Sequence, residues 1–378
     1  MRYEDGLGYK IVAIAMFTIL LDGCSTPEKE VMDGPIRVGG TFALSGSLAR
    51  IGQAEQNGIL LAIEEVNEKG GVAGRRLELI SDDNKGEAVP AVTSVQKMID
   101  VDRADVIFSA FTHVTQAIAP VTNASGKVLI YHSTVPDIAR KYRFTFRDYY
   151  EMTDNGILLA RLAGARGHTN VAYIGEASES CLRLFESFKA EGKIVGTGVS
   201  ANEEFNPDET DFRGMLLKAK EAKPDAIFFC AWRSEENVMR QLKEVGMVNT
   251  PTYHIDARKV PLSTEADEVF IENKAVSTSY GLADEVEDRA VASFIERYEK
   301  RFGSRPKPDA LYAYDDMMFL AKAIGSCGAP EAACIDRLMK GSCFDGISER
   351  VCFHEDGVST RKTILLQREK DGWSEVKT

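Results

Sequence analysis

The stretch "AIEEVNEKGGVAGRRLELISDDN" at residues 62–84 combines the end of a helix, a turn and a strand. Its apolar residues first recur at helical spacing, and the Gly70–Gly71 pair marks where the helix ends. "RRLELISDD" then predicts a strand that finishes on two aspartates. "IRVGGTFA" at residues 36–43 predicts a strand before the helix. The three elements therefore form a strand–helix–strand unit, which is typical of a parallel sheet covered by helices.

The same alternation extends along the chain. Further strands and helices follow up to "KVLIYHS" (127–133), and the pattern restarts at "NVAYIGEA" (170–177) and runs to "PTYHID" (251–256). A chain of 378 residues exceeds one ordinary domain, so the two series predict two α/β lobes, each with a doubly wound parallel sheet. Ligands of such sheets bind beyond the carboxyl ends of the strands, so two facing sheets form a cleft.

Composition and charge narrow the class of partner. The chain is 44% apolar and 28% charged, which is typical of a soluble globular protein. Its formal net charge is −12. Proteins that bind nucleic acid present a basic face to the phosphates, so the acidic balance argues against a nucleic-acid partner.

The N-terminus has the layout of an export signal. The apolar run "IVAIAMFTILL" at residues 11–21 is too short to span a bilayer as a finished helix, and Arg2 and Lys10 precede it. Cys24 follows after Asp22 and Gly23, in an arrangement that resembles the lipidation site of bacterial lipoproteins. We therefore predict a signal peptide at residues 1–23, a lipid on Cys24 and a polar tether at 24–35, which places the protein in the periplasm or cell envelope, anchored to the membrane. A plain signal anchor is the alternative.

Export from the cytoplasm changes the interpretation of the remaining cysteines. Four cysteines lie close together near the C-terminus, and in an oxidising compartment they are candidate disulfide partners. They are Cys327, Cys334, Cys343 and Cys352. These four cysteines allow three disulfide connectivities, and one of them combines the local pairs Cys327–Cys334 and Cys343–Cys352. A zinc site is the alternative, although no C-x-x-C spacing is present. Cys181 and Cys230 are isolated in the sequence, and we expect buried thiols.

A polar corner lies where the third strand passes into a helix. In "FSAFTHVTQAIAP" (108–120), Thr112, His113 and Thr115 occupy the start of the helix. A helix N-terminus offers free N–H groups and a partial positive charge, so this corner suits an anion such as a carboxylate. The simpler interpretation is that Thr112 only caps the helix.

Five stretches together resemble one family, from about Ile36 to Trp373. They are residues 62–84, "GTFALSGSLARIGQ" (40–53), "TDFRGMLLKAKEAKPDAIFF" (210–229), "ALYAYDDMMFLAKAI" (310–324) and "FDGISERVCFHEDG" (344–357). In this order they are similar to the solute-binding proteins of ABC importers that bind branched-chain amino acids (Leu, Ile, Val) and related solutes. That family has the type I periplasmic binding fold.

The resemblance implies a fold and an activity. It implies two doubly wound α/β lobes joined by three hinge crossings, with lobe one at 36–147 plus 280–354 and lobe two at 148–279 plus 355–378. The expected function is capture of an amino acid or related small carboxylate between the lobes and its delivery to an ABC permease. The family is not enzymatic and uses no cofactor or metal. Presentation of the solute to a separate sensor, and binding of a non-amine acid or amide, are the alternatives.

The resemblance also assigns site residues. The family's carboxylate-binding hydroxyl falls on His113, with Thr112 beside it, and the next strand end supplies the Thr134 hydroxyl and a carbonyl near His132. In lobe two, the acidic residue for the ligand's ammonium group falls on Asp256. An aromatic residue that packs on the solute matches Trp232.

Departures from the family pattern leave the solute open. Ser180 and Cys181 stand where many members carry an aromatic residue and a glycine, and Ile51 replaces a common aromatic. Ser180 is therefore a predicted ligand-binding residue. Tyr149 and Tyr150, at the first crossing, are predicted to fill the space, and Tyr150 is predicted to contact the ligand. A leucine-like ligand is thus one possibility beside a small carboxylate, an amide or an aromatic acid.

A metalloenzyme is the main alternative from another class. His113, His132, His254 and Asp256 form a conceivable zinc-ligand set, but their spacing matches no metal-binding motif. The chain also lacks the nucleophile motif G-x-S-x-G and the phosphate-binding P-loop. The sequence therefore favours a binding protein over an enzyme.

Overall fold

The structure is a computed structural model that describes residues 34–231, 234–257, 263–279, 289–347 and 349–376. The predicted signal peptide, Cys24, nearly all of the tether and Trp232 lie outside the described residues. The chain divides into Met1–Gly34 and a second unit, Pro35–Thr378, to which all further description applies. Within the described ranges, no helix is both long and apolar enough to cross a membrane.

Strands and helices alternate almost throughout the chain. The first series is β1 (Ile36–Phe42), α1 (Ala49–Glu68), β2 (Leu77–Asp83), α2 (Ala88–Asp100), β3 (Val106–Ala110), α3 (Thr112–Ala124), β4 (Val128–His132), α4 (Asp137–Lys141) and β5 (Thr145–Tyr149). The second series is α5 (Met152–Ala165), β6 (Asn170–Glu176), α6 (Glu179–Val195), β7 (Gly198–Phe205), α7 (Arg213–Glu221), β8 (Ala226–Cys230), α8 (Glu235–Glu244), β9 (Thr252–Ile255), α9 (Thr264–Glu272) and β10 (Val276–Ser279). The last elements are α10 (Arg289–Phe302), α11 (Pro308–Cys327), α12 (Ala332–Met339), β11 (Ser342–Asp345), β12 (Arg350–Phe353), β13 (Val358–Thr360), β14 (Ile364–Glu369) and β15 (Gly372–Val376).

Two large sheets define two lobes. The sheet of lobe one has the order β13-β5-β4-β3-β1-β2, and all its strands are parallel. The sheet of lobe two has the order β15-β14-β10-β9-β8-β6-β7, in which only the β10–β14 and β14–β15 pairs are antiparallel. Strands β11 and β12 form a separate hairpin. The predicted fold class is thus confirmed.

Apolar side chains cover both faces of each sheet. In lobe one, α1, α10, α11 and α12 pack on one face, and α2, α3 and α4 on the other. In lobe two, α5 and α6 cover one face, and α7, α8 and α9 the other. Burial on both faces explains why the inner strands β3, β4 and β8 are nearly continuous apolar runs.

The chain passes between the lobes three times. It leaves lobe one after β5, returns between β10 and α10, and leaves again between β13 and β14. Residues 358–360, which the sequence division assigns to lobe two, pair with β5 in the sheet of lobe one. The third crossing therefore consists of residues 361–363.

The stretch at residues 62–84 folds as its pattern predicts. Helix α1 ends at Glu68, and the following Gly70 and Gly71 have positive φ angles of 98° and 79°. Strand β2 then runs beside β1 and ends at Asp83, whose carboxylate accepts hydrogen bonds from the Leu44 N–H at 2.8 Å and the Ser45 hydroxyl at 2.5 Å. The second aspartate of the stretch therefore fixes the loop that follows β1.

Six cysteines are paired as three disulfides. Cys327–Cys334 and Cys343–Cys352 are the two local pairs among the connectivities left open by the sequence. Cys181 and Cys230 also form a disulfide, with their Cα atoms 5.9 Å apart, so the expectation of two buried thiols is wrong. No cluster of three or more potential metal ligands occurs in the described part of the chain.

Candidate functional site

The carboxyl ends of the strands of the two lobes meet at a cleft. Thr134 follows β4 in lobe one, and Ser180 lies in the first turn of α6 in lobe two. Their hydroxyl oxygens are 2.6 Å apart, within hydrogen-bonding distance. Two residues predicted from the sequence to bind the solute are thus brought together from opposite lobes.

Two further contacts join α6 to lobe one at the edge of this cleft. The Gln116 side-chain amide of α3 donates to the Glu179 carboxylate at 3.3 Å. Arg183 forms an ion pair with Asp137 of α4 and also bonds Glu179 within its own helix. The first turns of α6 therefore carry contacts that hold the two lobes together.

The polar corner before α3 is built on a left-handed residue. Phe111 has φ 65°, and the helix begins at Thr112. Phe111 occupies the cap position and makes no side-chain cap hydrogen bond, so the interpretation of Thr112 as the N-cap is wrong. The Thr115 hydroxyl is buried and bonded to Ser109. The first N–H groups of α3 have no acceptors within the helix. Together with Thr112, they form the end of this corner.

His113 does not share the burial of this corner. Its side chain is exposed, and its Nε2 lies 2.7 Å from the carbonyl oxygen of Gly86, in the loop that follows β2. The imidazole is therefore engaged with lobe one's own backbone.

His132 contributes a buried charge as well as a backbone carbonyl. The carbonyl accepts a hydrogen bond from the Phe111 N–H at 3.1 Å. The imidazole lies between two buried carboxylates, with Nδ1 3.4 Å from Glu55 and Nε2 3.0 Å from Asp316. Burial alone would lower the pKa of His132, but the hydrogen bonds to Asp316 and Glu55 outweigh it and raise the pKa to about 10.

The same cluster acts on Asp316. Burial and the neighbouring Asp148 raise the pKa of Asp316 to about 8, which would place a proton on this carboxyl as well at neutral pH. We assign the proton to His132, because an imidazole with a carboxylate at each nitrogen can donate to both only in its protonated form. The side chain of His132 is thus a buried imidazolium.

Asp256 lies at the end of β9, close to two tyrosines of the first crossing. Asp256 follows β9, is 5% exposed and has φ 52°, a conformation that costs free energy in a residue other than glycine. Burial raises the pKa of Tyr149, and the nearby Asp309, Tyr150 and Asp256 raise it further. The rings of Tyr149 and Tyr150 lie 4.3 Å apart between centroids. Asp256 therefore lies within electrostatic reach of the tyrosines at the first crossing.

Two buried arginines that no sequence motif marks organise the crossings. Arg147 of β5 donates to the Ser133 carbonyl at 2.8 Å, to the Ser359 carbonyl at 3.1 Å and to the Tyr150 carbonyl. Arg147 therefore links three parts of the chain. They are the segment before Thr134, strand β13, which precedes the third crossing, and the first crossing.

Arg361 lies in the third crossing and is buried among acidic side chains. It is bonded to Asp148 at the end of β5, and its Nη1 lies 3.8 Å from Asp315 and 3.5 Å from Glu349. Burial would lower its pKa, but the adjacent Asp148 and the other carboxylates raise it. The sequence signal for this arginine's partners is the pair Asp315–Asp316 in the mainly apolar middle of α11, which predicts buried partners for two acids.

The sequence profile of the periplasmic binding proteins matches residues 35–372, nearly the whole unit that carries both lobes. The chain belongs to the periplasmic binding protein family. This family consists of solute-binding proteins, not enzymes, and acts outside the cytoplasm, which agrees with a cleft between two lobes. The predicted family is thus confirmed.

Relatives of this periplasmic binding protein share its length and fold. It is 22% identical over 333 residues to the leucine-, isoleucine-, valine-, threonine- and alanine-binding protein of Pseudomonas aeruginosa, covering 83% of this chain and 84% of the relative. The branched-chain amino acid transporter substrate-binding protein LivJ of Streptococcus pneumoniae, solved with isoleucine, has a TM-score of 0.79 at 23% identity, covering 91% of this chain and 100% of LivJ.

A second solved relative holds a different kind of solute. The ABC-transporter solute-binding protein of Rhodopseudomonas palustris BisB5, in complex with 3,4-dihydroxybenzoic acid, has a TM-score of 0.79 at 21% identity. The match covers 90% of this chain and 96% of that protein. At such identities the two solved structures establish the shared fold of the periplasmic binding protein.

Proposed function

We propose that this protein captures an amino acid or a related small carboxylate between its lobes and delivers it to an ABC permease. The observation that supports the proposal is the contact between Thr134 and Ser180, which brings the strand ends of the two lobes together. In lobe one, the N-terminus of α3 and the hydroxyls of Thr112 and Thr134 suit a carboxylate. In lobe two, the buried carboxyl group of Asp256 is proposed to bind an ammonium group.

The other predicted residues take places around these two ends. Ser180 contacts Thr134 and reaches the same end of the cleft, and Tyr150, buried against Tyr149, is proposed to form an apolar wall. Trp232 is proposed on the lobe-two side, from the family resemblance alone. The amino-acid ligands of the Pseudomonas and Streptococcus relatives support the solute class.

An aromatic acid is the second candidate solute. Ser180 stands where many members carry an aromatic side chain, and the Tyr149–Tyr150 pair presents aromatic surface to the first crossing. The 3,4-dihydroxybenzoic acid in the Rhodopseudomonas relative supports this candidate. An aromatic acid would use the carboxylate end of the cleft and would not require Asp256.

A thermal-shift screen of the mature chain tests the proposal. Leucine, isoleucine, threonine, alanine, benzoate and 3,4-dihydroxybenzoate are added separately, because a solute that binds only the folded state raises its melting temperature. Compounds that shift the wild type are then titrated by calorimetry against Asp256→Asn. An amino acid should lose about 2–5 kcal/mol of binding in that variant, as for a broken buried charge pair, whereas an aromatic acid should bind equally well. No shift with any compound would contradict the proposed solute classes.

We also propose a lipid anchor at Cys24. One acyl chain binds a membrane weakly and two bind it stably, so a lipidated Cys24 would hold the protein at the membrane surface. The wild type should fractionate with membranes and Cys24→Ser should be released after export, by immunoblotting. Membrane retention of Cys24→Ser would instead support an uncleaved signal anchor.

A further inference from the structure

The Cys181–Cys230 disulfide joins two elements of lobe two, helix α6 and strand β8. Cys181 follows Ser180 in the first turn of α6, and Cys230 is the last residue of β8. Both side chains are fully buried. The bond joins positions 49 residues apart, and neither cysteine belongs to the C-terminal group of four candidate disulfide partners.

The turn that carries Cys181 is also the turn that faces lobe one. Glu179 contacts Gln116, Ser180 contacts Thr134, and Arg183 is paired with Asp137. A small tilt of this turn would move all three contacts at once. The geometry of the cleft therefore depends on how firmly the start of α6 is held.

Two hydrogen bonds and the disulfide hold the start of α6 to lobe two. The Ser178 hydroxyl caps the helix by accepting from the Cys181 N–H at 3.3 Å, and the Tyr173 hydroxyl donates to the Cys181 carbonyl at 3.2 Å. Each of these is one neutral hydrogen bond. The disulfide adds a covalent link to β8, which lies next to β6 with Gly175 opposite Cys230. It therefore fixes the first turn of α6 to the end of the sheet.

We propose that the Cys181–Cys230 disulfide positions the lobe-two half of the cleft for solute binding and lobe closure. Hinge closure around a solute is the motion for which periplasmic binding proteins are the standard example. Closure orders side chains on both lobes, and a covalent link that orders Ser180 and its neighbours beforehand removes part of that cost. The inference rests on the proposed function, because it assumes a solute between the lobes.

Replacement of the disulfide tests this role. Cys181→Ala combined with Cys230→Ala should weaken binding of L-isoleucine about tenfold by calorimetry, since the loss of order in one or two side chains has that effect. Hydrogen exchange of the amides at residues 178–183 should be faster than in the wild type. Both readouts are taken well below the melting temperature of the variant, so that a lower global stability does not mimic them.

The hairpin disulfide supplies a matched control. Cys343→Ala combined with Cys352→Ala removes a bond in the β11–β12 hairpin of lobe one, at two directly opposed positions. We expect this control to melt at a lower temperature but to keep the affinity for L-isoleucine and the exchange rates at 178–183. Equal affinity and equal exchange in the two double variants would overturn the proposal and leave a purely stabilising role.

Two outcomes need separate readouts. If the cleft variant does not fold, Cys181→Ala with Cys230→Val restores part of the lost volume and is tested in the same way. If the wild type does not bind L-isoleucine, the amino-acid proposal fails in its simplest form. The exchange rates at 178–183 still decide whether the disulfide orders the cleft face, because they require no solute. Unchanged exchange would overturn the inference in that case too.

Discussion

The hydroxyl oxygens of Thr134 and Ser180 lie 2.6 Å apart although the two residues belong to opposite lobes. Two neutral hydroxyls that meet at the end of a helix are well placed to donate together to one carboxylate. The arrangement therefore predicts that both hydroxyls contribute to the affinity for an acidic solute, and that their effects are coupled.

Removal of the Thr134 hydroxyl should weaken solute binding. Thr134→Val keeps the shape, and the expected loss is about 1.5–3 kcal/mol, the range for a hydrogen bond to a charged group. The measurement is calorimetric titration with a solute identified by the screen, alone and combined with Ser180→Ala. Thr115→Val is the control, because its buried hydroxyl is bonded to Ser109. An affinity unchanged in Thr134→Val would exclude this hydroxyl from the carboxylate site.

The His132 imidazole should remain protonated well above neutral pH. Its pKa is raised from about 6.5 to about 10 by Asp316 and Glu55, so the ring nitrogens should show imidazolium chemical shifts at pH 8 by NMR. His168 is the internal control, because burial and Arg166 lower its pKa, and it should lose its proton below about pH 6.5. A His132 ring that titrates together with His168 would contradict the assignment.

The same shift makes a stability prediction with a definite sign. A pKa that is raised on folding contributes stability that is complete below about pH 6.5 and is lost as the pH rises through about 10. Urea denaturation should therefore show a falling free energy of unfolding across that window. In His132→Gln the decline should be smaller. An equal decline in both proteins would show that other groups cause it.

Replacement of Arg361 should destabilise the protein strongly. Arg361→Met leaves the buried Asp148 without its cationic partner, which costs about 3–5 kcal/mol in comparable buried pairs. The free energy of unfolding from urea denaturation measures this loss. Arg350→Met is the control, because its ion pair with Asp345 is exposed and such pairs contribute little. A loss as small as that of the control would mean that Asp148 is not charged in the folded state.

The fold was predictable because local patterns in the sequence specify its elements. Helical spacing before Gly70–Gly71 and a strand after it define one unit, and the repetition of that unit defines a parallel sheet. The strand-to-helix corner before Thr112 was predictable for the same reason. The exact start of the helix was not, since it depends on the left-handed backbone of Phe111, a residue with no strong preference for that conformation.

Contacts between residues far apart in the chain could not be predicted from local sequence patterns. Asp148 and Arg361 are 213 positions apart, and their contact exists only because the first and third crossings lie side by side. Cys181 and Cys230 become neighbours because β6 and β8 pair although β7 lies between them in the sequence. An even number of cysteines outside the lipidation site was a signal for a third disulfide, but spacing alone did not identify its partners.

His113 provides the sharpest test of a residue assigned by resemblance. The resemblance places this imidazole at the carboxylate of the solute, where a charged ring would bind the anion more tightly than a neutral ring. In the structure the Nε2 atom of His113 lies 2.7 Å from the carbonyl oxygen of Gly86, and the side chain is exposed. His113 therefore contacts the loop that follows β2. We therefore expect His113→Ser to change the affinity for the identified solute less than about threefold, in contrast to the tenfold or larger loss that follows removal of a hydrogen bond to a charge.

The pH dependence of binding separates the two roles of His113. Affinity is measured by calorimetry at several values between about pH 5.5 and 8, the range in which a free histidine changes charge. If the imidazole only contacts Gly86, wild type and His113→Ser should have parallel profiles, because the same carboxylate meets the same hydroxyls and helix N–H groups in both. A wild-type affinity that rises toward low pH, together with a flat profile in His113→Ser, would instead place the imidazolium at the solute's carboxylate. The contact with Gly86 would then belong to the unliganded cleft, and solute binding would have to break it.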